Sequence, residues 1–123
     1  VAQRIPPELE QAVIKYQQVE SQLASIIAQK SVITSEISEI DRTLNILRSV
    51  SEDTPVYKNT GFVLIKVPKD EVIKELEEKK EELEIRLNSF SKMEETLKRQ
   101  LEELKRKLEK FSLGGLAGAS KAG

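Results

Sequence analysis

The sequence predicts a mainly α fold: a long antiparallel two-helix coiled coil with a β-hairpin at its connected end. Three observations carry this. Apolar residues recur at alternating steps of three and four along two long stretches. Between them lies VYKNTGFVLIKV, residues 56–67, which reads as two strands around a turn. The composition is 33% charged and only 4% aromatic, which suits helices packed along a seam better than a globule.

The first helix is expected over about residues 6–50. Pro6-Pro7 followed by Glu8 marks its start, because proline fits a first helical turn and an acid complements the helix dipole. Its seam reads Ile5, Leu9, Ala12, Tyr16, Val19, Leu23, Ile26, Lys30, Ile33, Ile37, Ile40, Leu44 and Leu47. Twelve of these thirteen positions are apolar, a longer run than a chance amphipathic helix sustains. Ser49 to Pro55 then supplies turn formers and a proline.

The second helix is expected over about residues 69–111, starting between Pro68 and Glu71 with Asp70 as N-cap. Its seam is Ile73, Leu76, Lys80, Leu83, Leu87, Phe90, Glu94, Leu97, Leu101, Leu104, Leu108 and Phe111. The Gly/Ala-rich end, LGGLAGASKAG, predicts a stop to the helix and a flexible tail over 112–123. The whole chain reads as a single domain.

The two seams pair in mirror order. Leu47 with Ile73, Leu44 with Leu76, Ile37 with Leu83, Ile33 with Leu87, Leu23 with Leu97, Tyr16 with Leu104 and Leu9 with Phe111 all have residue numbers totalling 120. That is the layering of an antiparallel coiled coil centred on Thr60. A three-residue loop Asn59-Thr60-Gly61, with Gly61 left-handed and Lys58 facing Phe62, has the same centre. Two seam positions are polar in adjacent layers, Lys30 and Glu94. Either the two pair along the seam, which penalises slipped registers more than it stabilises, or both reach solvent on their aliphatic stems; a double-mutant cycle without coupling would refute the pair.

The hairpin is apolar on both sides. Val63, Ile65 and Val67 alternate with Phe62, Leu64 and Lys66, and the first strand adds Val56 and Tyr57. A two-stranded hairpin is marginal alone, and each large apolar side chain gains about 1.5–3 kcal/mol on burial. Open edges and two apolar faces both require partners, so Val56, Tyr57, Phe62, Val63, Leu64, Ile65 and Val67 are expected to join subunits.

Other function classes find little support. The net charge of −1 lacks the basic excess that phosphate backbones demand, so no nucleic-acid partner is expected. The longest strongly apolar run, Phe62 to Ile65, is far short of a membrane span, so no membrane partner is expected either. With no Cys and no His, the usual nucleophile pairs cannot be assembled, and Gly114-Gly115 lacks the strand and Lys-Ser/Thr of a phosphate loop. An enzyme, a cofactor and a metal site are not expected. The opening VAQRIPPELE has no apolar core of a signal peptide, and its missing Met predicts trimming. A cytoplasmic location is the expectation.

The stretches IPPELEQ, YKNTGFVLIKVPKDE and LEEKKEELEIRL, with MEETLKRQLEELKRKL, resemble prefoldin β-type subunits of archaea. The resemblance covers about residues 4–110 and is carried by the hairpin motif, since heptads alone are common to many proteins. It implies that the hairpins of several subunits form an intersubunit β-barrel. It implies a hexamer of two α-type and four β-type chains, the β type giving one hairpin each. It implies ATP-independent holding of non-native proteins at the coiled-coil tips and their delivery to a group II chaperonin.

The residues also point to the open end. Val13, Ile14 and Ile27 lie off the seam, Leu113 and Leu116 lie in the tail, and Ile5, Leu9, Leu108 and Phe111 sit where the helices fray. A splayed apolar tip suits weak capture of unfolded chains. The client-binding set is therefore Ile5, Leu9, Val13, Ile14, Leu108, Phe111, Leu113 and Leu116. The rival is a structural coiled-coil spacer or tether, which shares the heptads but needs neither the apolar hairpin nor the apolar tips.

Overall fold

A computed structural model describes residues 5–122, with side chains described through Ser112. The element order is α1 (Pro7–Ser49), β1 (Val56–Asn59), β2 (Leu64–Val67) and α2 (Lys69–Ala122). The described chain divides into two compact units, Val1–Gln29 with Phe90–Gly123, and Lys30–Ser89.

Helix α1 starts as its prolines dictate. The Pro6 carbonyl accepts from the amides of Leu9 at 2.9 Å and Glu10 at 3.1 Å, so Pro6 caps a helix whose first residue has no amide to satisfy. Arg48 lies in the last turn, where a cation meets the carbonyl end. The Ser49 hydroxyl and the Val50 amide both donate to the Ile46 carbonyl and close the helix. Ser51 and Thr54 then hold the connecting turn through a backbone bond of 3.0 Å and a hydroxyl pair at 3.0 Å.

Helix α2 begins two residues earlier than an Asp70 cap would place it, at Lys69. The Pro68 carbonyl accepts from Val72 and takes the capping role, and Asp70 and Glu71 lie in the first turn, where their charges complement the helix dipole. At the other end the expected stop after Phe111 does not occur: α2 continues through Gly114 and Gly115 to Ala122. Each glycine costs a helix about 1 kcal/mol relative to alanine, but glycine cannot clash with the preceding turn as proline does, and this stretch carries no proline.

Burial follows the heptads within each unit. In Lys30–Ser89 the buried residues are Ile33, Ile40, Leu44, Leu47 and Leu83, with Ile37, Ile73, Leu76 and Leu87 half-buried. In the other unit Ala12 and Val19 are buried, and Leu9, Tyr16, Leu23, Ile26, Phe90, Leu97, Leu101, Leu104, Leu108 and Phe111 are half-buried. Ile5 is the exception: it precedes α1 and is 55% exposed, so the seam begins at Leu9.

Seam residue Lys80 is kept charged by reaching out of the layer. Its Nζ lies 2.7 Å from Asp41 Oδ1 and 3.9 Å from Glu84 Oε1. The hydrogen bond to Asp41 raises its pKa above the ordinary value of 10.5, against a smaller desolvation effect. A raised amine pKa contributes stability that is fully present below pH 10.5 and is lost as pH climbs through the raised value. Replacing Lys80 with methionine should therefore flatten the alkaline arm of a thermal-stability profile and leave the neutral arm level or higher. A profile that keeps the wild-type alkaline fall would deny Lys80 this part.

Candidate functional site

The hairpin pairs Val56 with Val67, Tyr57 with Lys66, Lys58 with Ile65 and Asn59 with Leu64. This register is shifted by three residues from the one that faces Lys58 with Phe62, and the three-residue loop is replaced by a tip of Gly61 and Phe62. Side-chain hydrogen bonds explain the difference. The Asn59 Oδ1 accepts from the Gly61 amide at 2.9 Å, and the Thr60 amide and hydroxyl both donate to the Val63 carbonyl, at 3.0 and 3.1 Å. The Thr60–Val63 bonds carry the pairing one residue pair beyond Asn59 and Leu64, and the Asn59 bond holds the tip. Gly61 then takes φ +99°, at the first tip position, where a two-residue type II′ turn places glycine.

An odd shift changes which residues share a face. One face carries Val56, Lys58, Ile65 and Val67, and the other carries Tyr57, Asn59, Leu64 and Lys66. Neither face is wholly apolar. On the first, Val56 and Val67 are half-buried at the base, and the Lys58 ammonium reaches Glu75 of α2 at 3.3 Å, which ties the hairpin to the helix it precedes. At the base, the part-buried Lys69 donates to the Val50 carbonyl at 3.1 Å and lies 3.9 Å from Glu52, bracing the loop before β1.

Beyond this base the apolar side chains are open to solvent. Phe62 is 101% exposed, and Tyr57, Val63, Leu64 and Ile65 are each about half exposed or more. The described sheet has only these two strands, so each has one edge without a strand beside it. Exposed large apolar residues clustered on a short open sheet make the hairpin a candidate joining surface, since both burial and edge pairing call for a partner.

The second candidate region lies in the unit that contains the start of α1. Ile5, Val13 and Ile14 are exposed there, and Leu9, Leu108 and Phe111 are half-buried. The side chains of Leu113 and Leu116 lie outside the described residues. Lys15 from α1 lines a surface groove with Gln100, Glu103, Leu104 and Lys107 of α2, and a further hollow is lined by Lys107, Lys110 and Phe111. Lys30 and Glu94 belong to different units; each is half-buried in its own, and Glu94 pairs with Lys98 at 3.2 Å.

Heptad reasoning passed over the Lys80–Asp41 and Lys58–Glu75 pairs. The first had a signal in the sequence, a lysine on the seam opposite an acid one place off it. The second depended on a hairpin register that the turn alone decides. Among the described residues no group of three or more acidic side chains is placed to hold a metal ion, and no helix is long and apolar enough to cross a membrane.

These features recur in known proteins. A family model described as "Prefoldin subunit" matches residues 10–112. The prefoldin subunit beta of Sulfolobus acidocaldarius is 40% identical over 111 residues, covering 90% of this chain and 89% of that protein. The prefoldin subunit beta of Sulfurisphaera tokodaii is equally similar, at 40% over 111 residues. The crystal structure of the prefoldin beta subunit from Thermococcus strain KS-1 superposes with a TM-score of 0.80 at 32% identity, covering 89% of this chain and 96% of that one. With two long heptad-patterned helices joined by one short hairpin, the chain belongs to the prefoldin family, among its β-type subunits.

Proposed function

We propose that this chain is a subunit of an ATP-independent chaperone that holds non-native proteins. In this reading the hairpin joins it to α-type prefoldin subunits and to other β-type copies, in a hexamer of two α and four β chains. The hairpins close an intersubunit β-barrel through Val56, Tyr57, Phe62, Val63, Leu64, Ile65 and Val67. The helix ends hold non-native client proteins, which pass to a group II chaperonin in the cytoplasm. Lys30 and Glu94 fix the coiled-coil register. The carrying observation is the open hairpin, where Phe62 is 101% exposed and four neighbouring apolar residues are about half exposed or more. A monomer rarely leaves such a cluster in water without a partner for it.

Client capture is assigned to Ile5, Leu9, Val13, Ile14, Leu108 and Phe111, with Leu113 and Leu116 of the same end. Ile5, Val13 and Ile14 are exposed where a spacer would need no apolar surface. Removing residues 1–14 and 105–123 from the co-expressed complex should abolish nucleotide-free suppression of client aggregation in light scattering, while native mass spectrometry still finds the hexamer. A trimmed complex that suppresses aggregation as well as the intact one would refute the assignment. An intact complex that suppresses nothing would favour a tether.

A further inference from the structure

Charge is unevenly distributed along α2. From Lys69 to Glu84 there are eight acids and four bases; from Lys98 to Lys110 there are six bases and three acids. Helix-dipole complementarity accounts for acids in the first turn and bases in the last. It does not account for the second run, which ends twelve residues before the helix terminus at Ala122.

Two of these bases, Lys107 and Lys110, lie beside apolar surface. Lys15 of α1 and Lys107 of α2 line one groove with the half-buried Leu104, and Lys107 and Lys110 line the adjoining hollow with Phe111. Gln100, Glu103, Leu104, Lys107, Lys110 and Phe111 fall at helical spacings of three and four, so one face of α2 carries them in series. Arg106 pairs with Glu102 and Lys98 with Glu94, but Lys15, Lys107 and Lys110 make no ion pair within the described residues. Glu103 is the one acid lining the groove, against two lysines. Two lysines against one acid give this part-apolar groove a local positive excess, which favours an anionic occupant.

We propose that this strip selects unfolded segments whose apolar core is flanked by aspartate or glutamate. Leu104 and Phe111 receive the apolar side chains, and Lys15, Lys107 and Lys110 meet the flanking carboxylates. The selection refines the client-binding reading above and rests on it. Exposed ion pairs are individually weak and screened by salt, so the preference is graded and releases clients readily, as a holding surface requires.

The test uses the assembled complex and three fluorescent peptides with one shared apolar core, flanked by Glu, Ser or Lys. Anisotropy at low salt should give Glu-flanked binding about fivefold or more tighter than Lys-flanked, with Ser between, since each tenfold corresponds to 1.4 kcal/mol. The gap should close in about 0.5 M NaCl, where the Debye length is only a few Å. Lys107→Glu with Lys110→Glu, its helicity and assembly checked first, should invert the order. Lys107→Gln with Lys110→Gln should abolish it without inversion. Equal binding of all three peptides overturns the selection and leaves client capture standing. Binding of none, together with no suppression of aggregation, overturns both. Single-stranded RNA that competes as well as the Glu-flanked peptide overturns it too, because charge alone would then suffice.

Discussion

Leu64→Asp combined with Ile65→Asp should leave this chain unable to enter a hexamer. The two residues point to opposite faces of the hairpin, so one charge is placed on each side. Both are largely open in the single chain, at 67% and 49% exposure, so the double variant should fold as well as the parent. Burial of two such side chains in a joint contributes about 3–6 kcal/mol, and placing two carboxylates there adds several more against assembly. A loss of at least about 4 kcal/mol weakens association roughly a thousandfold. Native mass spectrometry after co-expression with an α-type partner reads this directly. Full incorporation of the double variant at wild-type levels would show that the hairpin's apolar faces are not the joint.

The second large effect concerns the helices. Leu44→Ala and Leu83→Ala should each destabilise the chain by about 2–5 kcal/mol, the usual range for a buried leucine whose site cannot fully collapse. The two leucines are 3% and 4% exposed. Each has a control two residues further along its own helix. Ile46 is 62% exposed and Ile85 66%, so alanine at either should change stability by no more than about 0.5 kcal/mol. Denaturant unfolding of all four variants separates the seam from the outer surface. Similar losses at Leu44 and Ile46 would mean that the outer face of α1 is as well packed as the seam.

The seam was legible because it is redundant. A dozen positions on each helix repeat one spacing, so one polar residue such as Lys80 does not disturb the pattern. Burial within each unit follows it from Leu9 to Phe111. The features that escaped were decided by single groups. The hairpin register turned on the Asn59 amide and the Thr60 hydroxyl, which extend the ladder and move the tip to Gly61 and Phe62. The identities of the hairpin residues were readable; which of them share a face was not. The start of α2 turned on whether the Pro68 carbonyl or the Asp70 carboxylate did the capping. Its continuation past Gly114 turned on glycine being a weak helix breaker rather than a strict one. Ile5 fit the spacing but lies ahead of the Pro6 cap, and a spacing rule has no term for that.

Hydrogen exchange of the backbone amides across residues 56–67, compared between the isolated chain and the complex assembled with an α-type partner, tests the central claim most directly. If neighbouring strands flank the hairpin, its amides should exchange at least a hundredfold more slowly in the complex, about 2.7 kcal/mol of added protection. Unchanged exchange on assembly would mean that the hairpin stays bare, and that the subunits are held together somewhere else.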